Sequence, residues 1–465
     1  MLAPAPYGAT PSSAQLAWHA MALYGFVHFT VNTFTDREWG FGDEDPASFN
    51  PTALDARQWA RVARSAGLTG LILTAKHHDG FCLWPSRYTT HSVKQAPWRQ
   101  GKGDIVQDLY EACTEYGLKM GLYLSPWDRN HAAYGEPAYV DFYHHQWTEL
   151  LERYPGVIFE IWCDGANGGD GYYGGARETR QIDRRTYYRF PTLIDTVRRL
   201  QPNAVIFSDA GPDVRWVGNE SGVASNTCWH TINPEGMHVG EVDDLNRLGW
   251  GEPGGACWRP AEVDVSIRPG WFYHAQEQPR TVQQLLSIYL ASIGNGCGLN
   301  LNLPPNRLGL IPDEDIRVLT EFRATLDSLF ARDLALGQVV TASDTRGNDP
   351  AFAPGHLTDA NPATYWATDD DIRMAEVIVE FAAPETLGFV WLEEFIALGQ
   401  RIAAFSVEAA FDEQWLEIAR GTTIGARKIL PCAHVTTAKL RLRILSALAC
   451  PVLSRLSVFA VGERR

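Results

Sequence analysis

The chain of 465 residues predicts an α/β protein, a (β/α)8-like TIM barrel followed by an all-β sandwich. Three observations carry this prediction. Apolar runs ending in polar or aromatic residues recur about eight times in roughly the first 330 residues, at intervals that leave room for a helix. From about Leu336 onward the pattern changes to short β-prone runs punctuated by Gly, Pro, Asn and Asp, the texture of a sandwich. The run Leu71–Ala75 passes directly into Lys76-His77-His78-Asp79-Gly80, and barrels place their active-site groups at such C-terminal strand ends.

Tyr24–Phe29 reads as the first strand and leads to His28 and Asn32. Asp55–Ala66 follows as a helix, because Trp59, Val62, Ala63 and Ala66 fall on one face and Gly67 is a stop signal. The second strand starts at Leu68. A helix over Asp104–Tyr116 ends at Gly117, and the strand Lys119–Leu124 closes on Ser125-Pro126-Trp127-Asp128. A helix over Tyr139–Arg153 stops at Pro155-Gly156, and the strand Val157–Trp162 delivers Cys163-Asp164-Gly165. Then come helix Arg185–Leu200, strand Ala204–Ser208 and a short strand Val214–Val217 ending in Gly218-Asn219-Glu220. Strand Val263–Ile267, helix Val282–Ile293, strand Leu299–Leu303 and helix Asp313–Phe330 complete the barrel. In the tail the clearest strands are Val377–Phe381, Phe389–Glu394, Phe405–Ala410, Trp415–Arg420, Lys439–Ile444 and Leu453–Val461. The expected division is a catalytic barrel over 1–335 and a sandwich over 336–465.

Composition excludes several classes of function. A net charge of −15 with no basic stripe argues against a nucleic-acid partner. No apolar run is long enough to span a membrane. The N-terminus lacks a signal-peptide pattern, so the expected location is cytoplasmic unless a leader has been removed, in which case it is periplasmic or secreted. The eight cysteines form no C-x-x-C pair and sit mostly in apolar stretches, as core thiols do; Cys432 and Cys450 are the one pair to test for a disulfide. The sequence leaves the oligomeric state open.

Asp164 stands where a barrel presents a nucleophile or a metal ligand. A metal site would draw on His77, His78, Asp79 and Asp164, but adjacent histidines do not easily aim both rings at one ion. The competing reading is a carbohydrate hydrolase, with sugar rings lying on aromatic faces. Sixteen tryptophans are more than packing asks for, and Trp39, Trp84, Trp127, Trp162, Trp229, Trp258 and Trp271 fall at strand ends or in loops. Any one of them alone is as readily a core residue; their shared location favours the sugar.

Five motifs in order resemble the α-L-fucosidases of glycoside hydrolase family 29. They are Gly25-Phe26-Val27-His28-Phe29, Glu38-Trp39-Gly40, Lys76-His77-His78-Asp79-Gly80-Phe81 with Trp84 just after, Leu122–Asp128, and Ile161-Trp162-Cys163-Asp164-Gly165. Trp216-Val217-Gly218-Asn219-Glu220 and Val265–His274 are similar to the branch that cleaves α-1,3/1,4-linked fucose from Lewis-type glycans. Ala360–Trp366 resembles a discoidin-type sandwich, in which Tyr365 and Trp366 are equally core or ligand platform. The resemblance implies a retaining hydrolase of fucosylated oligosaccharides that needs no cofactor or metal. Asp164 would be the nucleophile and Glu220 the general acid/base, with Glu38 and Glu262 as fallback acids. His28, His77, His78, Tyr123 and Arg268 would bind the sugar hydroxyls, together with the Glu38-Trp39 loop. Trp84, Trp162 and Trp271 would face the ring and methyl group. The loop Gly168–Gly175 would cover the aglycone side, and the sequon Asn219-Glu220-Ser221 is read as unused. Three other readings stand beside this one: an α-L-fucosidase of broader specificity, a non-catalytic glycan-binding barrel and a metal-dependent hydrolase using His77 and His78.

Overall fold

The computed structural model describes residues 2–412 and 414–460. Eight strands form a closed barrel: β1 (Leu23–Val27), β2 (Gly70–Lys76), β3 (Lys119–Leu124), β4 (Ile158–Trp162), β5 (Val205–Ser208), β6 (Val214–Trp216), β7 (Ala261–Ser266) and β8 (Gly298–Asn302). Each pairs in parallel with its neighbours in chain order, and β8 closes on β1.

The helices form where capping and periodicity agree. Asp55 accepts the Arg57 N–H at the start of Ala56–Ser65, whose buried face carries Trp59, Ala60, Val62 and Ala63. Asp104 caps Ile105–Tyr116, and Gly117 ends it in the left-handed conformation that glycine adopts without Cβ strain. Helix Pro137–Arg153 packs behind β3 and β4, with Lys76 reaching across to Gln146 at 3.0 Å.

Two stretches depart from the expected rhythm. Only five residues separate β5 from β6, so no helix covers that step; the Asp213 carboxylate ties the turn by accepting the Ile206 N–H at 2.7 Å and pairing with Arg198. Helix Phe190–Leu200 begins later than read, because hydrogen-bonded turns occupy Asp183–Arg189 and Pro191 suits the first helical turn.

The tail is a β-sandwich built of β9 (Val339–Ala342), β10 (Trp366–Ala367), β11 (Ala375–Glu394), β12 (Ile402–Phe411), β13 (Gln414–Gly421), β14 (Lys428–Pro431), β15 (Thr436–Ala447) and β16 (Val452–Ala460). Val461, read as the end of the last strand, lies outside the described residues. The two expected strands Val377–Phe381 and Phe389–Glu394 are one strand, β11. Its first part pairs with β9 and β15, its second with β14 and β16, and the register shifts between Glu380 and Glu385. Trp366 is fully buried, donating its indole N–H to the Asp344 carbonyl, so it is core and not a ligand platform.

The sandwich is sewn to the barrel. Gln400 accepts the His230 N–H at 2.7 Å and donates to the Cys228 carbonyl at 3.0 Å, while Lys428 donates to Asn295 Oδ1 at 2.7 Å. Leu334 and Ala335 already belong to the sandwich core. All eight cysteines are free thiols; Cys432 and Cys450 are not joined, and it is Cys228 and Cys297 whose sulfurs come together, at 3.7 Å. Among the described residues no helix is long and apolar enough to cross a membrane.

Candidate active site

A cavity of about 220 Å³ opens at the C-terminal ends of the barrel strands. Its wall is built strand by strand: Phe26 from β1 and His28 just after it, His77 and His78 after β2, Tyr123 from β3, Trp162 and Asp164 at the end of β4, Asp209 after β5, Trp216 from β6 with Glu220 beyond it, Asp264 from β7, and Trp271 on the following loop. Trp39 stands over it from the loop after β1, 53% exposed at the rim.

Asp164 is fixed at both oxygens. Oδ2 accepts the Tyr123 hydroxyl at 2.7 Å and Oδ1 accepts the Ala166 N–H at 2.6 Å, with His78 Nε2 3.8 Å from Oδ2. Burial raises its pKa, and the two hydrogen bonds pull against that rise. Glu220 lies at the exposed rim, where Trp271 donates its indole N–H to Oε2 at 3.2 Å. Partial enclosure of its carboxyl, together with the Asp164 and Glu38 charges, raises its pKa despite that bond.

The histidines are neutral and their tautomers are set by their partners. Ser125 gives its proton to the Trp127 carbonyl and so accepts from His78 Nδ1 at 2.6 Å, leaving Nε2 as a lone pair. The Asn302 amide donates to Ser266 and to the Trp271 carbonyl, so its oxygen accepts His28 Nδ1–H at 2.8 Å and His28 Nε2 is likewise an acceptor. Burial lowers both pKa values to about 3, with Arg129 and Lys76 adding to the effect at His78 and the Asn302 bond opposing it at His28. His77 is lowered too, first by burial and then by its histidine neighbours, and among the described residues its Nδ1 has no hydrogen-bond partner. It stacks on Tyr123, which stacks in turn on Trp162.

Three residues expected at the sugar stand elsewhere. Trp84 is fully buried, its indole donating to Glu149 at 2.9 Å beneath the loop after β2. Arg268 is fully buried as well, in a fork to Asp315 at 2.7 and 2.9 Å with Glu314 at 2.8 Å, anchoring the loop after β7 to helix Asp313–Leu329. Glu38 stands one step behind the wall, where it accepts the Trp271 and Phe272 N–H groups and meets His274 Nε2 at 2.7 Å, holding the loop that presents Trp271. The other fallback acid, Glu262, is sealed in the barrel interior against Glu160, where it accepts from Tyr24, Trp162 and Asn300.

Asp209, Asp264 and the wall position of Trp216 were not anticipated as sugar-site residues. Asp209 follows an apolar strand just as Asp164 does, and Asp264 alternates with Glu262 and Ser266 on the inward side of β7; both signals were there to read. Asp209 accepts the Gly240 N–H at 3.0 Å, and burial followed by the Asp164 charge lifts its pKa to about 7. Gly165 has to be glycine for this arrangement, because a Cβ there would lie 2.0 Å from Asp209 Oδ2. 

Carboxyl groups of different proton affinity, acceptor imidazoles and indole walls, gathered at the mouth of a TIM barrel, define a glycoside hydrolase. Comparison with known proteins gives the family. The α-L-fucosidase family model matches residues 7–327, and the chain belongs to that family, glycoside hydrolase family 29. It is 44% identical over 460 residues to putative alpha-L-fucosidase 1 of Oryza sativa, covering 98% of this chain and 86% of that protein. The structure superposes on a putative alpha-L-fucosidase from Bacteroides thetaiotaomicron with a TM-score of 0.90 at 37% identity, over 99% and 100% of the two chains. It superposes on a Ruminococcus gnavus family 29 fucosidase in complex with fucose with a TM-score of 0.88 at 30% identity, over 99% and 97%. The enzyme is an α-L-fucosidase.

Proposed function

We propose that the enzyme is a retaining exo-fucosidase that releases α-1,3/1,4-linked fucose from branched, Lewis-type glycans. The observation that carries the mechanism is Asp164, held at both oxygens inside the cavity with Glu220 above it on the Trp271 indole. Asp164 attacks the anomeric carbon, forming the glycosyl–enzyme bond as the glycosidic C–O bond breaks, and Glu220 gives its proton to the departing oxygen. Glu220 then takes a proton from water, whose oxygen displaces Asp164 from the anomeric carbon. This needs Asp164 ionised while Glu220 is protonated. Two hydrogen bonds favour the Asp164 anion, and the Asp164 and Glu38 charges add to burial in raising Glu220, which is the direction the reaction needs. Activity is therefore lost as pH falls through the Asp164 pKa and again as it rises through that of Glu220.

His28 and His78 accept sugar hydroxyl protons at Nε2, while Tyr123, Trp162 and Trp271 form the apolar wall. The α-1,3/1,4 preference rests on the resemblance of Trp216–Glu220 and Val265–His274 to that branch. No metal is invoked: among the described residues no group of three or more His, Cys, Asp or Glu side chains is placed to hold one ion.

The test is fucose release from a Lewis-type trisaccharide and from 2′-fucosyllactose by wild type, Asp164→Ala and Glu220→Ala, each with and without EDTA, plus azide rescue of the two variants on an activated aryl fucoside, whose leaving group departs without a proton. Release from the Lewis substrate alone, indifferent to EDTA, with β-fucosyl azide from Asp164→Ala and α-fucosyl azide from Glu220→Ala, is the expected result. Activity retained in Asp164→Ala, or lost to EDTA, would overturn the assignment.

A further inference from the structure

The cavity holds a buried carboxyl that this mechanism does not use. Asp264 sits on β7, 3% exposed, in the same wall as Asp164 and Glu220. Apart from its own backbone N–H, its carboxyl makes one hydrogen bond among the described residues: Oδ1 accepts the Trp216 indole N–H at 2.7 Å. A buried carboxyl with one good donor is unstable as an anion. Two more carboxylates, Glu220 and Glu262, bear on it, and the lining contains no lysine or arginine to offset them.

We propose that Asp264 binds the sugar directly: with Oδ1 held by Trp216, Oδ2 carries a proton and donates it in a hydrogen bond to an oxygen of the fucosyl residue. The proposal rests on the fucosidase reading and adds to it a contact of opposite sense to those of the histidines. His28 and His78 present lone pairs, so they read hydroxyls as donors. Asp264 reads an oxygen as acceptor. Burial and the neighbouring carboxylates push its pKa well above the ordinary aspartate range, consistent with a proton held throughout the working range.

The test uses the full-length enzyme with Asp264→Asn and Asp264→Ala, alone and combined with Trp216→Phe, assayed on an aryl fucoside and its monodeoxy analogues with Tm measured alongside. An amide still accepts from Trp216 and still donates to the sugar. Asp264→Asn is therefore expected to stay within about threefold of wild-type kcat/KM, while Asp264→Ala loses roughly 10- to 100-fold. One deoxy fucoside should lose this much on the wild type and nothing further on Asp264→Ala, and the penalty should persist in the Trp216→Phe background. Three outcomes would each overturn the proposal: Asp264→Asn as inactive as Asp264→Ala, a penalty that vanishes in Trp216→Phe, or folded Asp264→Ala with wild-type kcat/KM. A wild type that released no fucose would instead overturn the fucosidase reading itself.

Discussion

Replacing Glu262 separates a buried structural carboxyl from a catalytic acid. The side chain accepts three donors, Tyr24 O–H, Trp162 Nε1–H at 2.8 Å and Asn300 Nδ2–H at 3.1 Å, and is packed against Glu160. Glu262→Ala leaves these donors without an acceptor in a sealed interior, at about 1–3 kcal/mol each. Removing one of two adjacent buried carboxyls relieves repulsion and offsets part of that loss, so a net destabilisation of about 3–5 kcal/mol is expected, a large share of the ~5–15 kcal/mol that holds a folded protein together. Glu262→Gln keeps an oxygen for Trp162 and Asn300, and its amide N–H can meet Glu160, the carboxyl that hydrogen-bonds Glu262 in the native protein. Urea unfolding followed by tryptophan fluorescence, with fucosidase assays on the same preparations, gives both quantities. Glu262→Gln should unfold near the wild-type midpoint and keep activity within about tenfold, because Trp162 keeps its place in the cavity wall. A well-folded Glu262→Gln with activity down by three orders of magnitude would refute this and restore Glu262 as a proton donor; an unshifted midpoint in Glu262→Ala would refute the hydrogen-bond accounting.

Arg268→Ala should act on stability and not on sugar binding, since it strands Asp315 in the interior: a loss of about 3–5 kcal/mol is expected, and an unchanged Tm with KM raised tenfold would return Arg268 to the substrate. His19 lies at the seam with the sandwich, where burial and the Arg427 charge lower its pKa from 6.5 to about 3. The unfolded chain therefore takes a proton that the folded one refuses. The stability contributed is whole above pH 6.5 and is lost as pH falls toward 3, at about 1.4 kcal/mol per pH unit. His19→Gln should flatten the stability–pH curve by that slope between pH 4 and 6, and parallel curves for the two proteins would count against it.

Lys119–Leu124 was legible to the residue because Gly117 and Ser125-Pro126 bracket it, and Asp164 because an apolar strand meets a glycine there. Direction was not legible. Arg268 and Trp84 stand at strand ends in sequence, but their partners, Asp315 and Glu149, lie 47 and 65 residues further on, and only the fold brings them near enough to pull the side chains from the cavity. Ala382-Ala383-Pro384 reads as a break between two strands, yet a register shift lets β11 run through it. The carboxyls Asp209 and Asp264 left a positional signal in or just past a strand, but what singles each one out is its neighbours on adjoining strands and loops, Asp164 for Asp209 and Trp216 and Glu220 for Asp264.

The arrangement of charge in two layers follows from that same crossing of distant segments. Lys76 and Arg129 stand behind the cavity wall, where Lys76 pairs with Asp128 at 3.3 Å and Arg129 with Asp170 at 2.9 Å. From there they add to burial in suppressing protonation of His78 without lining the cavity. In front lie only carboxyls, imidazoles and aromatic rings. In the proposed mechanism, a wall whose imidazoles are neutral and whose only available charge is negative opposes no positive charge at the anomeric carbon, and the ionised Asp164 would favour it as the glycosidic bond stretches. Were the cations in front, they would bind hydroxyls equally well yet resist the oxocarbenium-like transition state. Keeping them one layer back adds to burial in holding His78 neutral, and in the proposed mechanism it leaves the reacting carbon in a field that the reaction can use.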